Sequence, residues 1–363
     1  MKILFDHQKF SMQKYGGISR YIANLNRGLN TKPGISSSIA ALYSENEYVK
    51  DKPFILNNSL GKKLLGGKYH KTYKWNRRFS RWSVRLGQYD IFHPTYYDTD
   101  FLKDIKKPFV VTVHDMVYEL FPDNFSDATE VIAQKKAIIT KADAIIAISE
   151  YTRRDILRIF PQLESKIHVV HHGYVLGTQQ ADTGLQHIEM FILFVGQRWH
   201  YKNFEGFVKA ISPLLQQNHD LYLVCAGGSA FTPEEQVVLE QLNILNQCVQ
   251  IGASDAELKQ LYQKAVLFAY PSQQEGFGLP ILEAFANNCP IVCSNNTSMP
   301  EVAGNAAEYF DPFDASSILS AVSKVLNDAA YREQLRTNGR QRLKLFSFEA
   351  CVTNTIKVYR SLL

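Results

Sequence analysis

Short apolar runs alternate with longer amphipathic stretches along almost the whole chain. The short runs are rich in β-branched residues, as buried strands are, whereas the longer stretches repeat their apolar positions at helical spacing. The predicted strands are residues 2–5, 37–42, 90–93, 109–113, 144–148, 168–171, 191–195, 222–226, 249–251, 266–269 and 291–293. The predicted helices include residues 18–29, 128–142, 204–217, 234–242, 256–264 and 281–287. This alternation predicts an α/β protein with parallel sheets covered on both faces, the doubly wound arrangement.

The pattern restarts after a polar segment near the middle of the chain. Residues 177–187 are mostly Gln, Thr, Asp and Gly, which is typical of a linker, and each half opens with an apolar strand that is followed by glycine. A chain of 363 residues is also too long for one ordinary core. We expect two Rossmann-like domains that face each other across a cleft. The expected N-terminal domain is 1–175, the linker about 176–188 and the second domain 189–345, with a helix in 346–363 that returns to the first domain.

Composition narrows the class of protein and its compartment. A hydrophobic share of 45% with 21% charged residues is that of a globular protein and excludes a disordered or collagen-like chain. The five cysteines form no C-x-x-C pair, which argues against a disulfide framework or a zinc site and favours a reducing cytosol. No apolar run is long enough to cross a bilayer, and the first residues turn polar too soon for a signal peptide. We therefore expect a cytoplasmic protein, or one on the cytoplasmic face of a membrane.

The segment that most strongly indicates chemistry is E-G-F-G-L-P-I-L-E-A, which begins at Glu275 after a predicted strand. Its two glycines allow a tight loop, and Pro280 fits a first helical turn, where its missing N–H costs nothing. Such a loop presents free N–H groups and the positive end of a helix dipole, which suit a phosphate. We expect Glu283 in that first turn, where a carboxylate can accept both hydroxyls of a ribose, and Glu275 nearer a sugar. The alternative is that Glu283 only complements the dipole and Glu275 is solvated.

A second segment places two cations after the strand at 191–195. Gly196 follows the strand, and Arg198 and Lys202 come next. Cations beside a departing diphosphate stabilise charge that grows in the transition state. Arg198 can bind two oxygens as a fork, whereas Lys202 supplies a movable point charge. The alternative is a pair of surface cations.

Two weaker candidates lie in the first half of the chain. His114 directly follows the predicted strand 109–113. The carboxyl ends of strands are where open α/β sheets bind ligands. His114 can equally be a hydrogen-bonded core histidine, and Asp115 can either orient it or cap the next helix. The pair Gly16–Gly17 is, by itself, only a turn.

These motifs together resemble the retaining glycosyltransferases of family four, which have the GT-B fold. Their E-x7-E segment matches Glu275 and Glu283. The continuation is also similar, with C-P-I-V-C-S at 289–294, M-P-E-V-A-G at 299–304 and F-D-P at 310–312. The resemblance covers essentially the whole chain.

The resemblance implies that domain 1–175 binds the acceptor and domain 189–345 the nucleotide sugar, and it implies roles for individual residues. The first glutamate would contact the transferred sugar, the second the ribose, and Arg198 and Lys202 the diphosphate. The glycine pair would let the backbone approach the distal phosphate and the acceptor, and His114 would contact the donor sugar. The catalytic set implied is His114, Arg198, Lys202 and Glu275. The donor-binding set implied is Gly16, Gly17, Arg198, Lys202, Glu275, Gly276, Phe277, Gly278, Leu279 and Glu283.

The function expected from this is transfer of a hexose from a nucleoside diphosphate sugar to a hydroxyl of a glycan, with a lipid-linked glycan favoured. Residues 294–302 resemble mannosyltransferases of bacterial surface polysaccharide assembly, which favours GDP-mannose over UDP- or dTDP-hexoses. A sugar-nucleotide epimerase or a phosphorylase on the same fold is an alternative, and so is a non-catalytic glycan- or membrane-binding protein. No metal and no other cofactor is expected. Asp98 and Asp100 have the D-x-D form that holds a metal in the other large glycosyltransferase fold, but their context favours a polar loop.

A basic stretch runs from Lys62 to Arg85. It holds nine cationic residues and no Asp or Glu, while the whole chain has a net charge of only +5. Aromatic and aliphatic residues, among them Trp75, Phe79 and Trp82, are interleaved with the cations. This pattern predicts an amphipathic surface that lies on anionic lipid, with a solvated helical face as the alternative. A nucleic-acid partner is not expected, because no recognition element accompanies the charges.

Overall fold

The computed structural model describes residues 1–175, 184–185 and 188–363. The chain divides into two compact units. The first unit is Met1–His172 with Phe348–Leu363, and the second is Gly173–Ser347. The C-terminal helix thus belongs to the first unit, while the linker expected at 176–188 lies largely outside the described residues.

Parallel strands form the centre of the first unit. Its strands are β1 (Lys2–Phe5), β2 (Ser36–Ile39), β3 (Ile91–His93), β4 (Val110–Val113), β5 (Ala144–Ala147) and β6 (Ile167–Val169). Its helices are α1 (Gln8–Met12), α2 (Gly17–Leu29), α3 (Ser59–Leu65), α4 (Tyr69–Leu86), α5 (Val117–Leu120), α6 (Ala128–Lys141), α7 (Glu150–Ile159) and the C-terminal helix Phe348–Arg360. The strands pair in the orders β2-β1-β3 and β4-β5-β6, and a parallel bridge between Phe92 and Phe109 joins the two sets.

Helices cover both faces of these strands. Phe5 of β1 packs in one core with Leu25 of α2 and Val352 of the C-terminal helix. Leu4, the neighbouring residue, points to the other face and packs in a second core with Ile138 of α6. This alternation is what a strand buried on both sides produces.

The second unit is built around one six-stranded parallel sheet. Its strands are β7 (Met190–Val195), β8 (Leu221–Ala226), β9 (Cys248–Ile251), β10 (Leu267–Tyr270), β11 (Ile291–Ser294) and β12 (Ala307–Phe310). The helices between and after them are α8 (Phe204–Gln217), α9 (Pro233–Gln241), α10 (Asp255–Lys264), α11 (Leu279–Ala286), α12 (Met299–Ala303), α13 (Ala315–Asn327) and α14 (Ala329–Leu343); we number the C-terminal helix of the first unit α15. The strand order is β12-β11-β10-β7-β8-β9. Helices α8 and α13 pack with one face in a common core, and Tyr262 of α10 contacts Phe268 on the other face. The predicted α/β doubly wound class is confirmed in each unit.

Three differences from the predicted elements have physical causes. The strand expected at 37–42 ends at Ile39, because the backbone N–H groups of Leu42 and Tyr43 donate to the Asn76 side chain instead of to a strand. Strand β12 was not predicted, since its sequence A-E-Y-F lacks a continuous apolar run. Helix α11 begins at Leu279, two residues before the predicted start, because Pro280 is accepted in its first turn.

Candidate active site

The order of strands locates a ligand site in the second unit. From β7 the chain continues through β8 and β9 on one side, whereas β10, β11 and β12 lie on the other. In an open parallel sheet such a reversal leaves a crevice at the carboxyl ends of the two central strands. The loops after β7 and β10 therefore line this crevice.

Lys202 and Glu275 come together at this place. The Lys202 Nζ lies 2.5 Å from Glu275 Oε1, and the two side chains are 18% and 13% exposed. Gly196, with a φ of 113°, turns the chain out of β7 in a conformation that glycine tolerates well. The Asn203 side chain donates to the Pro312 carbonyl at 2.8 Å and ties the end of the same loop to the loop after β12. Two predicted site residues, 73 positions apart in the sequence, thus form one charged pair.

Glu275 is held by further neighbours. The buried Tyr270 hydroxyl hydrogen-bonds its carboxylate, and burial together with this negative charge holds the pKa of the Tyr270 phenol well above its usual value. The phenol therefore stays protonated and donates. Ser298 Oγ donates to the Glu275 backbone carbonyl at 3.0 Å. The carboxylate is an ordered acceptor at the mouth of the crevice, suited to binding sugar hydroxyls.

The glycine loop that follows Glu275 leads into α11. Gly278 has a φ of 96°, in the left-handed region, where a side chain would be strained. Phe277 is 2% exposed and packs edge-on against Phe346, so any contact that residue 277 makes with a donor comes from its backbone. Leu279 is the first residue of the helix. The predicted order of strand, glycine loop, proline and helix is present.

The expectation that Glu283 lies in the first turn of α11 is wrong. The helix begins at Leu279, so Glu283 falls in the second turn, and the first turn carries no acidic residue. Glu283 is buried at 6% exposure, and its Oε2 accepts from the Tyr262 hydroxyl at 3.2 Å. It therefore cannot be a solvated residue that merely complements the helix dipole. The Tyr262 hydroxyl orients the carboxylate of Glu283, and a contact between Glu283 and a ribose stays a prediction.

Arg198 is held within the second unit. Its Nε and Nη2 donate to the two carboxylate oxygens of Glu235 at 3.0 and 3.1 Å. Its Nη1 and Nη2 also donate to the carbonyls of Gly227, Ser229 and Ala230 at 3.3, 2.7 and 3.1 Å. The side chain is 3% exposed. The structure therefore joins Arg198 to α9 and to the loop after β8, and it does not bring Arg198 into the Lys202–Glu275 pair.

In the first unit, His114 lies at the carboxyl end of β4, as predicted. Its ring contacts Tyr21 edge-on and stacks on His172, with ring centroids 5.7 and 5.9 Å apart. Burial, and then the charge of Lys9, lower the pKa of His114 to about 3. The imidazole is therefore neutral at physiological pH and can both donate to and accept from a sugar hydroxyl. Asp115 Oδ1 accepts from the backbone N–H of Val117, the first residue of α5, at 3.1 Å, while the N-cap residue of that helix is Met116.

The glycine pair marks the start of α2. Gly16 is its N-cap residue, and its carbonyl accepts from Ser19 Oγ and Arg20 N, both at 3.0 Å. Gly17 is the first helical residue, and apart from its chain neighbours and the backbone of its own helix, no described heavy atom lies within 4 Å of the place where its Cβ would be. The helix start that the sequence predicted is present, and a contact between Gly16 or Gly17 and a phosphate stays a prediction.

One residue near His114 was missed by the sequence analysis. Lys135, inside α6, is 1% exposed, and its Nζ donates to the Asp115 carbonyl at 3.0 Å and to Glu119 Oε2 at 2.8 Å. A buried ammonium that binds the residue after His114 fixes the position of that loop. In the sequence, Lys135 is followed by Lys136, and no pattern around the two distinguishes the buried lysine from a surface one.

Asp98 and Asp100 bind side chains of α4. The Tyr73 hydroxyl donates to Asp98 Oδ2 at 2.6 Å, and Arg77 pairs with both carboxylates. Within the residues that the structure describes, no three His, Cys, Asp or Glu side chains are grouped as metal ligands would be. The D-x-D segment is thus part of an ionic contact with α4.

The basic stretch is helical and has two chemically different sides. Arg81 and Arg85 both pair with Asp104, at 2.9 and 2.7 Å. Trp75 and Trp82 lie outward, 37% and 55% exposed. The cations for which no ion pair is found among the described residues are Lys62, Lys63, Lys68, Lys71, Lys74 and Arg78. Of the described helices, none combines the length and the apolarity that crossing a bilayer requires.

Solved structures of other proteins share this fold. Sucrose-phosphate synthase from Thermosynechococcus elongatus aligns with a TM-score of 0.75 over 99% of this chain and 98% of its own, at 19% identity. HepE from Anabaena, solved with UDP and glucose, aligns with a TM-score of 0.71 over 100% and 99%, at 15% identity. The chain has the GT-B fold.

Sequence comparison identifies the family. Residues 15–176 match the model of Glycosyltransferase Family 4, and residues 177–342 match that of Glycosyl transferases group 1. O-antigen chain mannosyltransferase B of Escherichia coli is 30% identical over 305 residues, 78% of each chain. The chain belongs to the family-4 glycosyltransferases and is a glycosyltransferase, which confirms the resemblance inferred from the E-x7-E segment.

Proposed function

We propose that this enzyme is a retaining hexosyltransferase that moves a hexose from a nucleoside diphosphate sugar to a glycan hydroxyl in bacterial surface polysaccharide synthesis. The observation that carries the proposal is the Lys202–Glu275 pair at the carboxyl ends of β7 and β10. A cation stabilises the charge that grows on a diphosphate as the sugar leaves, and a carboxylate can accept hydrogen bonds from the sugar hydroxyls. The name of the Escherichia coli relative supports the polysaccharide role.

Each site residue has a task in this reaction. Lys202 stabilises the diphosphate as it leaves, and Glu275 holds hydroxyls of the transferred sugar. Glu283, oriented by Tyr262, receives the ribose hydroxyls. His114 hydrogen-bonds the sugar as a neutral imidazole.

Transfer on this proposal takes place on one face of the sugar. The bond from the anomeric carbon to the phosphate oxygen breaks, and a bond to the acceptor oxygen forms on the same side. The acceptor proton passes to the departing phosphate oxygen, so no carboxylate nucleophile is needed. The enzyme contributes orientation and electrostatic stabilisation.

We propose GDP-mannose as the donor, on the strength of the mannosyltransferase relative and of residues 294–302. A thermal-shift screen with GDP, UDP and dTDP tests nucleotide binding directly. A nucleotide at 100 times its dissociation constant stabilises the protein by about 2.7 kcal/mol. GDP should raise the melting temperature most, and Glu283→Gln should reduce that rise. A larger shift with UDP or dTDP would show that the donor carries that nucleotide instead of GDP. No shift with any of the three nucleotides would contradict the proposed function.

We also propose that the enzyme works on the cytoplasmic face of the inner membrane, on a lipid-linked acceptor. Trp75, Phe79 and Trp82 recur at helical spacing on α4 and are exposed or half-buried, with the rings of Phe79 and Trp82 5.8 Å apart. The neighbouring cations Lys71, Lys74 and Arg78 are exposed. Exposed aromatic rings flanked by cations suit an anionic lipid surface.

A further inference from the structure

We infer that Arg198 and Glu235 together position the two-glycine loop after β8, and that Arg198 serves nucleotide binding through this loop. The inference rests on the proposed function, since a nucleoside diphosphate is the ligand concerned. It replaces the role that the family resemblance implies for Arg198, a direct contact with the diphosphate.

The first support is that the charge of Arg198 is already neutralised. Its guanidinium makes a two-pronged contact with Glu235, at 3.0 and 3.1 Å, and the side chain is 3% exposed. The Phe231 ring lies 4.8 Å from the guanidinium carbon and covers it further. A forked arginine–carboxylate pair is strong and geometrically specific. Moving the guanidinium to another anion would leave the carboxylate of Glu235, which is only 18% exposed, without its cation.

The second support is what else the guanidinium binds. Its remaining donors reach the carbonyls of Gly227, Ser229 and Ala230, so three residues of the segment 227–230 are tied to one side chain. Gly227 and Gly228 have φ values of 87° and 70°, in the left-handed region. A loop of two such glycines has few conformational restraints of its own, and side-chain hydrogen bonds from Arg198 supply them.

Glu235 is itself fixed, so that it can serve as an anchor. It is the third residue of α9 and completes a capping box, accepting from the Thr232 backbone N–H at 2.9 Å through the same oxygen that Arg198 Nη2 reaches. The Glu235 backbone N–H in turn donates to Thr232 Oγ1 at 3.2 Å. The chain of contacts therefore runs from a helix terminus, through Glu235 and Arg198, to the glycine loop.

The glycine loop lies beside the donor crevice. Strand β8 is the neighbour of β7, and both strands end at the same edge of the sheet. A Cβ on Gly227 would lie 3.6 Å from the Gly196 backbone nitrogen, and Gly196 begins the segment that ends at Lys202. A Cβ on Gly228 would lie 3.1 Å from Arg198 Nη1. Arg198 thus holds this loop through hydrogen bonds to its backbone carbonyls, and the loop lies next to the segment that leads to Lys202.

The experiment compares Arg198→Gln, Glu235→Gln and the double variant with the unaltered enzyme. Glu234→Gln is the matched control, because Glu234 precedes Glu235 in the same turn and is exposed. The dissociation constant of GDP is measured by calorimetry, with UDP as a second probe. Each single variant should weaken binding about tenfold or more, since each removes a charged hydrogen-bond pair. The double variant should be no worse than either single one, because the two residues act as a unit.

Turnover separates this role from a contact with the diphosphate. Both single variants should raise KM for the donor and leave kcat within a few-fold of its original value. Arg198→Lys keeps the charge but cannot fork, and should behave like Arg198→Gln. A Glu235→Gln variant that binds GDP normally, while Arg198→Gln loses kcat and Arg198→Lys restores it, would overturn the inference.

Amide hydrogen exchange tests the loop without any nucleotide. Residues 227–230 should exchange faster in Arg198→Gln and in Glu235→Gln, and not in Glu234→Gln. Unchanged exchange in both variants would overturn the inference. If the unaltered enzyme binds no nucleoside diphosphate, the proposed function fails, and the exchange result still decides whether the two residues hold the loop.

Discussion

The ammonium of Lys202 and the carboxylate of Glu275 lie 2.5 Å apart, each on a loop that leaves a central strand of the second unit. A second Lys–Glu pair, Lys209 with Glu205, has nearly the same separation, 2.6 Å, but lies on the surface of α8 with 54% and 64% exposure. Water and ions screen the surface pair far more than the crevice pair. The two pairs have nearly the same nitrogen–oxygen separation, so they differ mainly in being at the crevice or on the surface. Lys209 is therefore a suitable control for Lys202.

Replacing Lys202 by Ala should lower kcat by about two to three orders of magnitude, because the charge of Lys202 matters most while the diphosphate leaves. Steady-state kinetics with a saturating nucleotide sugar measures this. Lys209→Ala is the control and should leave kcat unchanged, since exposed pairs contribute little. An increase in KM with kcat unchanged for Lys202→Ala would show ground-state binding only and would refute the role given to Lys202.

Activity should survive a strong chelator, because Lys202 is proposed to neutralise the diphosphate and Asp98 and Asp100 are bound to α4. The measurement is turnover after dialysis against the chelator. Loss of turnover that manganese or magnesium restores would contradict this and return Asp98 and Asp100 as candidate metal ligands.

Binding to vesicles should need anionic lipid and weaken with salt, because charge attraction is screened over roughly 8 Å at physiological ionic strength. Sedimentation with phosphatidylglycerol vesicles, against phosphatidylcholine vesicles, measures this. Replacing Trp75 and Trp82 by Ala should reduce binding further, since both rings are exposed. Equal binding to both kinds of vesicle, or none to either, would leave α4 as a solvated helix.

The structure supplies a control for the charges of α4. Removing the outward cations should lower vesicle binding. Removing the paired arginines should instead lower the free energy of unfolding, and it should lower vesicle binding less than removal of the outward cations does. The outward set is Lys71, Lys74 and Arg78, and the paired set is Arg77, Arg81 and Arg85. Equal losses of vesicle binding in the two sets would show that net charge alone acts.

Stability of the first unit should fall as the pH drops below about 6.5. His93 is fully buried between Tyr359 and Thr112, and burial lowers the pKa of His93 to about 3. The contribution of His93 to the free energy of unfolding is complete above the pKa of histidine in the unfolded chain. It is lost as the pH falls towards the pKa of His93 in the folded protein, and the loss is about 2 kcal/mol by about pH 5. Urea unfolding measures the free energy of unfolding at about pH 7.5 and at about pH 5. The decrease between these two pH values should be smaller for His93→Gln than for the unaltered chain. Identical losses would show that His93 is not neutral in the fold.

The sequence predicted the Lys202–Glu275 site because simple rules connect it to the fold. Both residues follow apolar strands, with Gly196 ahead of Lys202 and Gly276 directly after Glu275. The carboxyl ends of parallel strands meet at one edge of a sheet. Glu283 was predicted as a site residue but was placed one helical turn too early. The exact first residue of a helix depends on how the loop before it closes, which Gly278 decides through its backbone conformation.

Side-chain partners that lie far apart in sequence could not be predicted. The capping box T-P-E-E at 232–235 is visible in the sequence. That Glu235 also binds Arg198, 37 residues away, depends on the packing of α9 beside β8. In α4, likewise, Arg77 and Arg78 are adjacent and chemically identical, and only the structure separates the one that faces Asp100 from the one that faces solvent.

The most direct test of the account is the stereochemistry of sugar release. Proton NMR would follow GDP-mannose as the enzyme slowly hydrolyses it, with water in place of the acceptor, before the free sugar mutarotates. The account predicts that α-mannose appears first from the α-linked donor, and that Lys202→Ala and Glu275→Gln abolish its release while Lys209→Ala does not. First-formed β-mannose, or release that persists in both site variants, would contradict a retaining transfer at the Lys202–Glu275 site.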